Sequence, residues 1–471
     1  MKLCLASIAL ISSVFAVDIS NLSTCTDDIV QALSQDVNVE LFTQDYGSLM
    51  NELSANAVRS SFPATYQQEV LDPFVGYLNN MGEANFTSIF NGQSNDDLAA
   101  FLKEIIPDIS DALLQKASFQ TNDAANQKST NAFEEMVSDL YDGFLSKEDR
   151  VSNETGMPIK LPDRQFLPPL VKWGNPDAGP YTWPIDDTAQ LNLQSAVVSL
   201  PPAHLKGGLL AWAALPHETG GHDILHADTG LLDELGDIVY NAVHAKFHSY
   251  NFLADYWKSC IDETASDCAG LLNAGPVAGI SLVGYFRGLI GGPLRNDGSP
   301  GDPHPVDILR GFIAAHVVSK LSFSGANDWA DTIRNEVSKD LQIIHIPDGK
   351  GTSHRVPNQI AIQSAELTAD LIINSKLKAL DGHSLKEIQD WTDQDQNIVE
   401  EIAGLFRDGK DLSDDFRNNG YYAAHVVAAA IQEALKADAA PVQTYFDRMV
   451  DFLNTMYEFD NVWTDTSLNS N

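Results

Sequence analysis

Residues 215–225 read LPHETGGHDIL, and residues 257–272 read WKSCIDETASDCAGLL. In the second stretch Glu263 and Asp267 stand four apart, so a helix places both carboxylates on one face. The first stretch resists a regular helix. Four residues turn about 40° past a full circle and five turn about 140° past it, so His217 and His222 would face apart. Gly220 and Gly221 fill the interval and Pro216 precedes it. Two glycines inside a helix cost roughly 1 kcal/mol each against alanine, a poor choice for a plain structural helix. They do make a bulge or widened turn sterically easy. The sequence therefore predicts a helix opened at this point, facing a second helix that carries paired acids.

Working outward, residues 18–149 show apolar positions recurring at three and four, which predicts helices. Residues 158–184 (PIKLPDRQFLPPLVKWGNPDAGPYTWP) are proline-rich, a composition that disfavours helices and central strands, and they read as a linker. After it, residues 195–200 (SAVVSL) lean towards a short strand, and helical patterns run to the end. The expected fold is mainly α (α+β). A helical N-terminal region, residues 17–157, serves as a removable pro-segment or as a lid, and a helical region with a small sheet spans 185–471. The string AAHVV occurs twice, within residues 311–322 and 420–431. Shared small-residue helix packing accounts for it, and His316 and His425 read as core histidines.

The chain has 471 residues and a formal charge of −36. So acidic a surface repels polyphosphate and anionic lipid, which argues against nucleic acid or a bilayer as the main partner. Residues 1–16, MKLCLASIALISSVFA, fit a secretory signal peptide cleaved after Ala16, and no integral membrane segment is expected beyond it. A secreted or secretory-lumen location follows, and the sequons at Asn21, Asn85 and Asn153 become candidate glycosylation sites. Cys25, Cys260 and Cys268 then allow at most one internal bridge. Cys260 and Cys268 on one helix lie about 12 Å apart, beyond disulfide reach, so a bridge is expected to run from Cys25 to one of them.

The chemistry lies in His217, Glu218 and His222, which form HExxxH, one residue longer than the common zinc-hydrolase motif. Neutral imidazoles bind zinc without cancelling its charge, and an adjacent carboxylate that is not a ligand can take a proton from water. Of the acids at 263 and 267, one can complete the ligand set and the other can hold a histidine's free N–H. A competing set exists: Glu218, His222 and His226, at four and four, suit an iron or manganese site in a helical bundle. His244 and His248 form another such pair. A non-catalytic metal-binding protein is a further alternative. No G-x-S-x-G elbow or G-x-x-x-x-G-K-[ST] loop is present, and residues 288–292 (GLIGG) lack the context of a dinucleotide fingerprint.

DETASD at residues 262–267 resembles the Asn-Glu-x-x-Ser-Asp helix of thermolysin-type zinc peptidases, the gluzincins, with Asp262 where the family has Asn. HExxxH departs from thermolysin and is similar to the dipeptidyl peptidase III family. The resemblance covers residues 215–272. It implies that His217, His222 and Glu263 bind zinc, Glu218 acts as general base, Asp267 orients the first histidine, and peptide or protein is the substrate. It also calls for an oxyanion donor, for which His304, Tyr285 and Arg287 are the candidates. The edge-strand motif expected upstream is not recognisable in residues 195–207 (SAVVSLPPAHLKG).

Overall fold

The three- and four-residue apolar spacing is realised as helices through most of the chain. The structure is a computed structural model that describes residues 17–94, 96–145, 163–164, 167–175 and 179–459. The fold is mainly α, with one three-stranded and one two-stranded sheet among the described residues. Its axis is the helical run Ile261–Ile290, buried along almost its whole length. Around it pack the helices Leu22–Leu33, Asp307–Val318 and Ala423–Ala434. This run is long and apolar enough to cross a membrane by length and composition alone. However, 89% of its most apolar window is buried inside the molecule, as in the core helix of a folded domain. The axis kinks at Gly275 (φ 67°), just before Pro276. A Cβ at Gly275 would fall 2.5 Å from the Trp391 ring, so close approach as well as backbone shape demands glycine there.

The proline-rich tract is not a linker. It supplies two strands, β1 (Leu170–Trp173) and β2 (Tyr181–Trp183), which flank β3 (Val197–Leu200) in the order β1-β3-β2. β1 runs parallel to β3, with Leu170 opposite Val197. β2 runs antiparallel to β3, with Thr182 opposite Val198. Both proline-flanked strands are edges, where missing donors are tolerated. The second sheet is the antiparallel pair β4 (Ile344–Pro347) and β5 (Ser353–Val356).

Nor does the core divide at this tract. Phe133 packs against Trp173 at a ring separation of 5.1 Å, and Trp173 lies 6.4 Å from Trp212. Leu22, Cys25 and Ile29 belong to the same core as the long helix. A smaller core gathers Phe74, Phe86 and Leu113 with Leu170, Leu191 and Val197, again from both sides of the tract. The N-terminal helices are thus part of the body that carries the site.

The disulfide expectation fails for the same reason: Cys25, Cys260 and Cys268 are all free and buried in that core. The expected leader, residues 1–16, and the sequon at Asn153 lie outside the described residues. Asn85 is exposed on the helix Asp72–Phe90. Asn21 is half-buried, and its Nδ2 donates to the Ala434 carbonyl at 2.8 Å.

Candidate metal centre

The helix that begins at Leu215 opens into a π-helical turn over Glu218–Asp223, the widening that Gly220 and Gly221 permit. Close packing also fixes Gly221. A Cβ there would lie 2.3 Å from Ser266 Cβ and 2.4 Å from Ser266 Cα, on the long helix between Glu263 and Asp267. The extra residue in the turn brings both histidines to one side. His217 Nε2 and His222 Nε2 are 3.2 Å apart. The Glu263 carboxylate lies 3.4 Å from His217 Nε2 and 3.5 Å from His222 Nε2. Among the described residues, these three are the group of His, Cys, Asp and Glu side chains placed to hold a metal ion.

Ligand atoms about 2.0–2.1 Å from a tetrahedral zinc lie about 3.3 Å from one another, close to the His217–His222 spacing and to the distance from each ring to its nearer Glu263 oxygen, Oε2 for His217 and Oε1 for His222. The donors are also set correctly. His217 Nδ1 lies 2.9 Å from Asp267 Oδ1, and His222 Nδ1 lies 3.2 Å from Asp262 Oδ1. An imidazole that carries its proton on Nδ1, towards its carboxylate, turns its Nε2 lone pair inward. Glu263 adds a buried oxygen, Oε2, that has no hydrogen-bond partner. Three such atoms facing one another could hold a cation between them. Asp267 and Glu263 overcome the burial that disfavours charge on His217 and push it up to about 9. Burial alone would raise the Glu263 carboxyl, but His217 and His222 override it and hold the group far below the carboxylate range.

Glu218 lies beside this group, buried at 4% exposure and outside the triad. Its Oε2 accepts a hydrogen bond of 2.8 Å from Thr182 Oγ1 on β2. Asp267 is held on its far side by Arg310, whose Nε and Nη2 each donate at 2.7 Å. Burial would raise the Asp267 carboxyl, but Arg310 and His217 bring it down to about 2. A largely apolar cavity of about 230 Å³ adjoins the site, lined by Leu210, Leu271, Tyr285 and Phe286 together with His217 and Glu218.

The oxyanion-donor candidates separate. His304 is half exposed at the rim, with Nε2 3.2 Å from Glu263 Oε1 and Nδ1 2.7 Å from Asp302 Oδ1. Tyr285 is buried in the cavity wall, its hydroxyl 3.5 Å from His204 Nε2. Arg287 is turned away and pairs with Glu336 at 2.6 Å and Asp340 at 2.7 Å. The alternative Glu218/His222/His226 set does not assemble, because the π-turn replaces the regular four-residue face it needs. His226 faces Asp262 Oδ2 at 3.4 Å and Asp186 Oδ2 at 3.2 Å instead. His244 stacks on Tyr240, and His425 is buried against Asp395 at 3.1 Å. His316 lies 3.6 Å from Asp370.

Arg310 and Thr182 escaped the sequence reading. Arg310 did leave a signal, since a lone guanidinium in DILRGFIAAHVV must find a buried partner. Comparison with protein-family models, curated proteins and solved structures returns no match.

Proposed function

We propose that the chain is a secreted zinc-dependent peptidase in which His217, His222 and Glu263 hold the metal and Glu218 is the acid–base group. The observation that carries this reading is the inward convergence of two Nε2 atoms and the Glu263 carboxylate beside a second, separate carboxylate, Glu218. When bound, zinc supplies a Lewis acid that polarises a carbonyl and makes water acidic enough to react near neutral pH.

The chain's own groups do the rest. Asp267 and Asp262 fix the two rings, and Arg310 keeps Asp267 charged and in place. Glu218, held by Thr182, takes a proton from the attacking water and returns one to the leaving amine. Tyr285 and His304 are the donors available to charge developing on the carbonyl oxygen. The cavity beside Glu218 excludes water and favours a substrate with a large apolar side chain next to the cleaved bond. The leader-like residues 1–16 and the exposed sequon at Asn85 support the secretory location.

Metal analysis of purified protein, combined with hydrolysis of a peptide mixture by wild type and Glu218→Gln, tests the assignment. The expected result is one zinc per chain in both proteins and peptide turnover in wild type alone. Unaltered turnover in Glu218→Gln removes Glu218 from the chemistry. A redox-active metal in place of zinc overturns the hydrolase reading.

A further inference from the structure

We propose that His226 is a positioning residue that sets how long the His217–His222–Glu263 centre retains its metal, acting through Asp262. The inference rests on the metal-centre reading and goes beyond it to a residue outside the ligand set.

Each ligand histidine is backed by an aspartate, and each aspartate is backed by a nitrogen donor, but the two arms differ in strength. Behind His217, both Asp267 oxygens are taken by Arg310 at 2.7 Å, with side-chain exposures of 1% and 7%. Behind His222, Asp262 is 43% exposed, and its second oxygen meets His226 Nε2 at 3.4 Å. His226 is anchored in turn by Asp186, which also pairs with Arg164.

The π-turn explains why His226 can reach. It closes at Asp223 into the short 3-10 turn Ile224–His226, so that His222 and His226 approach the two oxygens of one carboxylate. Asp262 lies in the first turn of the long helix, directly before the ligand Glu263. With His226 in place, Asp262 is held from both sides and keeps His222 Nδ1–H engaged. Without it, a half-exposed carboxylate turns to water and the His222 ring is free to rotate its Nε2 out of the triangle. The buried Arg310 arm offers no such path, so metal is lost on the His222 side.

The test loads full-length protein with zinc, adds excess chelator and follows metal release with a chromogenic zinc indicator. His226→Ala and Asp262→Ala should each speed release about 10- to 100-fold, the range for losing an outer partner of a metal ligand. The double variant should be no faster than the faster single one, because both act through the same contact. His226→Gln restores an N–H donor to Asp262 and should recover much of the loss, while the melting temperatures of the metal-free proteins stay together. Should His226→Ala fail to fold, Asp186→Asn loosens the same ring from its exposed side and should also speed release. Wild-type release rates in these variants, or effects that multiply in the double variant, overturn the proposal. A wild-type protein that takes up no zinc refutes the metal centre itself.

Discussion

Gly221→Ala sets two effects of opposite sign against each other. Gly221 lies within a helical turn and has no positive φ, so propensity alone favours alanine by about 1 kcal/mol. Its missing Cβ is nevertheless what lets the π-turn rest on the long helix. A methyl there would meet Ser266 Cα at 2.4 Å and Cβ at 2.3 Å, both rigid neighbours. Ordinary contact begins near 3.4 Å, so the two elements must part by about 1 Å. Overpacking of this kind costs about 1–3 kcal/mol, enough to outweigh the propensity gain. The separation falls between His222 and Glu263, whose side chains approach to 3.5 Å, and metal sites tolerate only about 0.2 Å of error in ligand distance. Zinc affinity should therefore fall by at least about 100-fold, the upper end of the loss from removing an outer partner. Gly220→Ala is the control: its Cβ would meet Asn273 Nδ2 at 3.0 Å, the end of a side chain that donates to the Ala269 carbonyl at 2.8 Å and has to give by only a few tenths of an ångström. Urea unfolding of the metal-free proteins and chelator competition measure both quantities. A Gly221→Ala protein as stable as wild type with unchanged zinc affinity would show that the contact with Ser266 does not shape the site.

Three further outcomes follow from other groups. Asp111 is buried and accepts Leu41 N–H and Phe42 N–H on one oxygen, each at 2.7 Å, and burial pushes its carboxyl up to about 6. The folded state then binds the proton more tightly than the unfolded state, so this group's contribution to stability falls as pH rises from about 4 to 6. Asp111→Asn keeps the accepting oxygen; its stability relative to wild type should rise by up to about 3 kcal/mol between pH 4 and 7, and a flat difference in urea melts would contradict the burial argument. Thr182→Val removes the donor to Glu218 and should lower kcat roughly 10-fold with zinc content and KM unchanged, while Thr182→Ser restores it; an unchanged kcat would strip Thr182 of a role. Cys25, Cys260 and Cys268 are buried thiols, with burial pushing Cys25 and Cys260 up to about 12. In mass-mapped alkylation they should resist reagent in the native protein and react once it is unfolded, and fast labelling of any of them at neutral pH would contradict their burial.

Much of the site was legible because its chemistry is local. The glycine pair announced a widened turn, and the four-residue spacing of Glu263 and Asp267 announced a shared face. What stayed hidden depends on contacts across long sequence distances. Thr182 touches Glu218 because β2 is an edge strand, and nothing in residues 181–183 declares which sheet they join. The tract around them read as a linker because proline content distinguishes strand from non-strand poorly at an edge. His226 entered the competing ligand set because four-residue spacing is a face only in a regular helix, and the π-turn next to it breaks that rule. The free thiols followed from burial, which cysteine spacing does not encode.

The helix Leu22–Leu33 is seated by residues that lie far along the sequence. Asn21 N–H is bonded to the Leu435 carbonyl at 2.9 Å, and Asp28 accepts from Gly208 and Leu209 at 2.9 and 3.0 Å, just upstream of the histidines. During translation that apolar stripe must wait through more than four hundred residues before its seat exists. Such long-range closure slows assembly, and the waiting surface is a natural target for chaperones. Loss of the segment around Leu435 would thus be felt more than four hundred residues away, as an unseated helix.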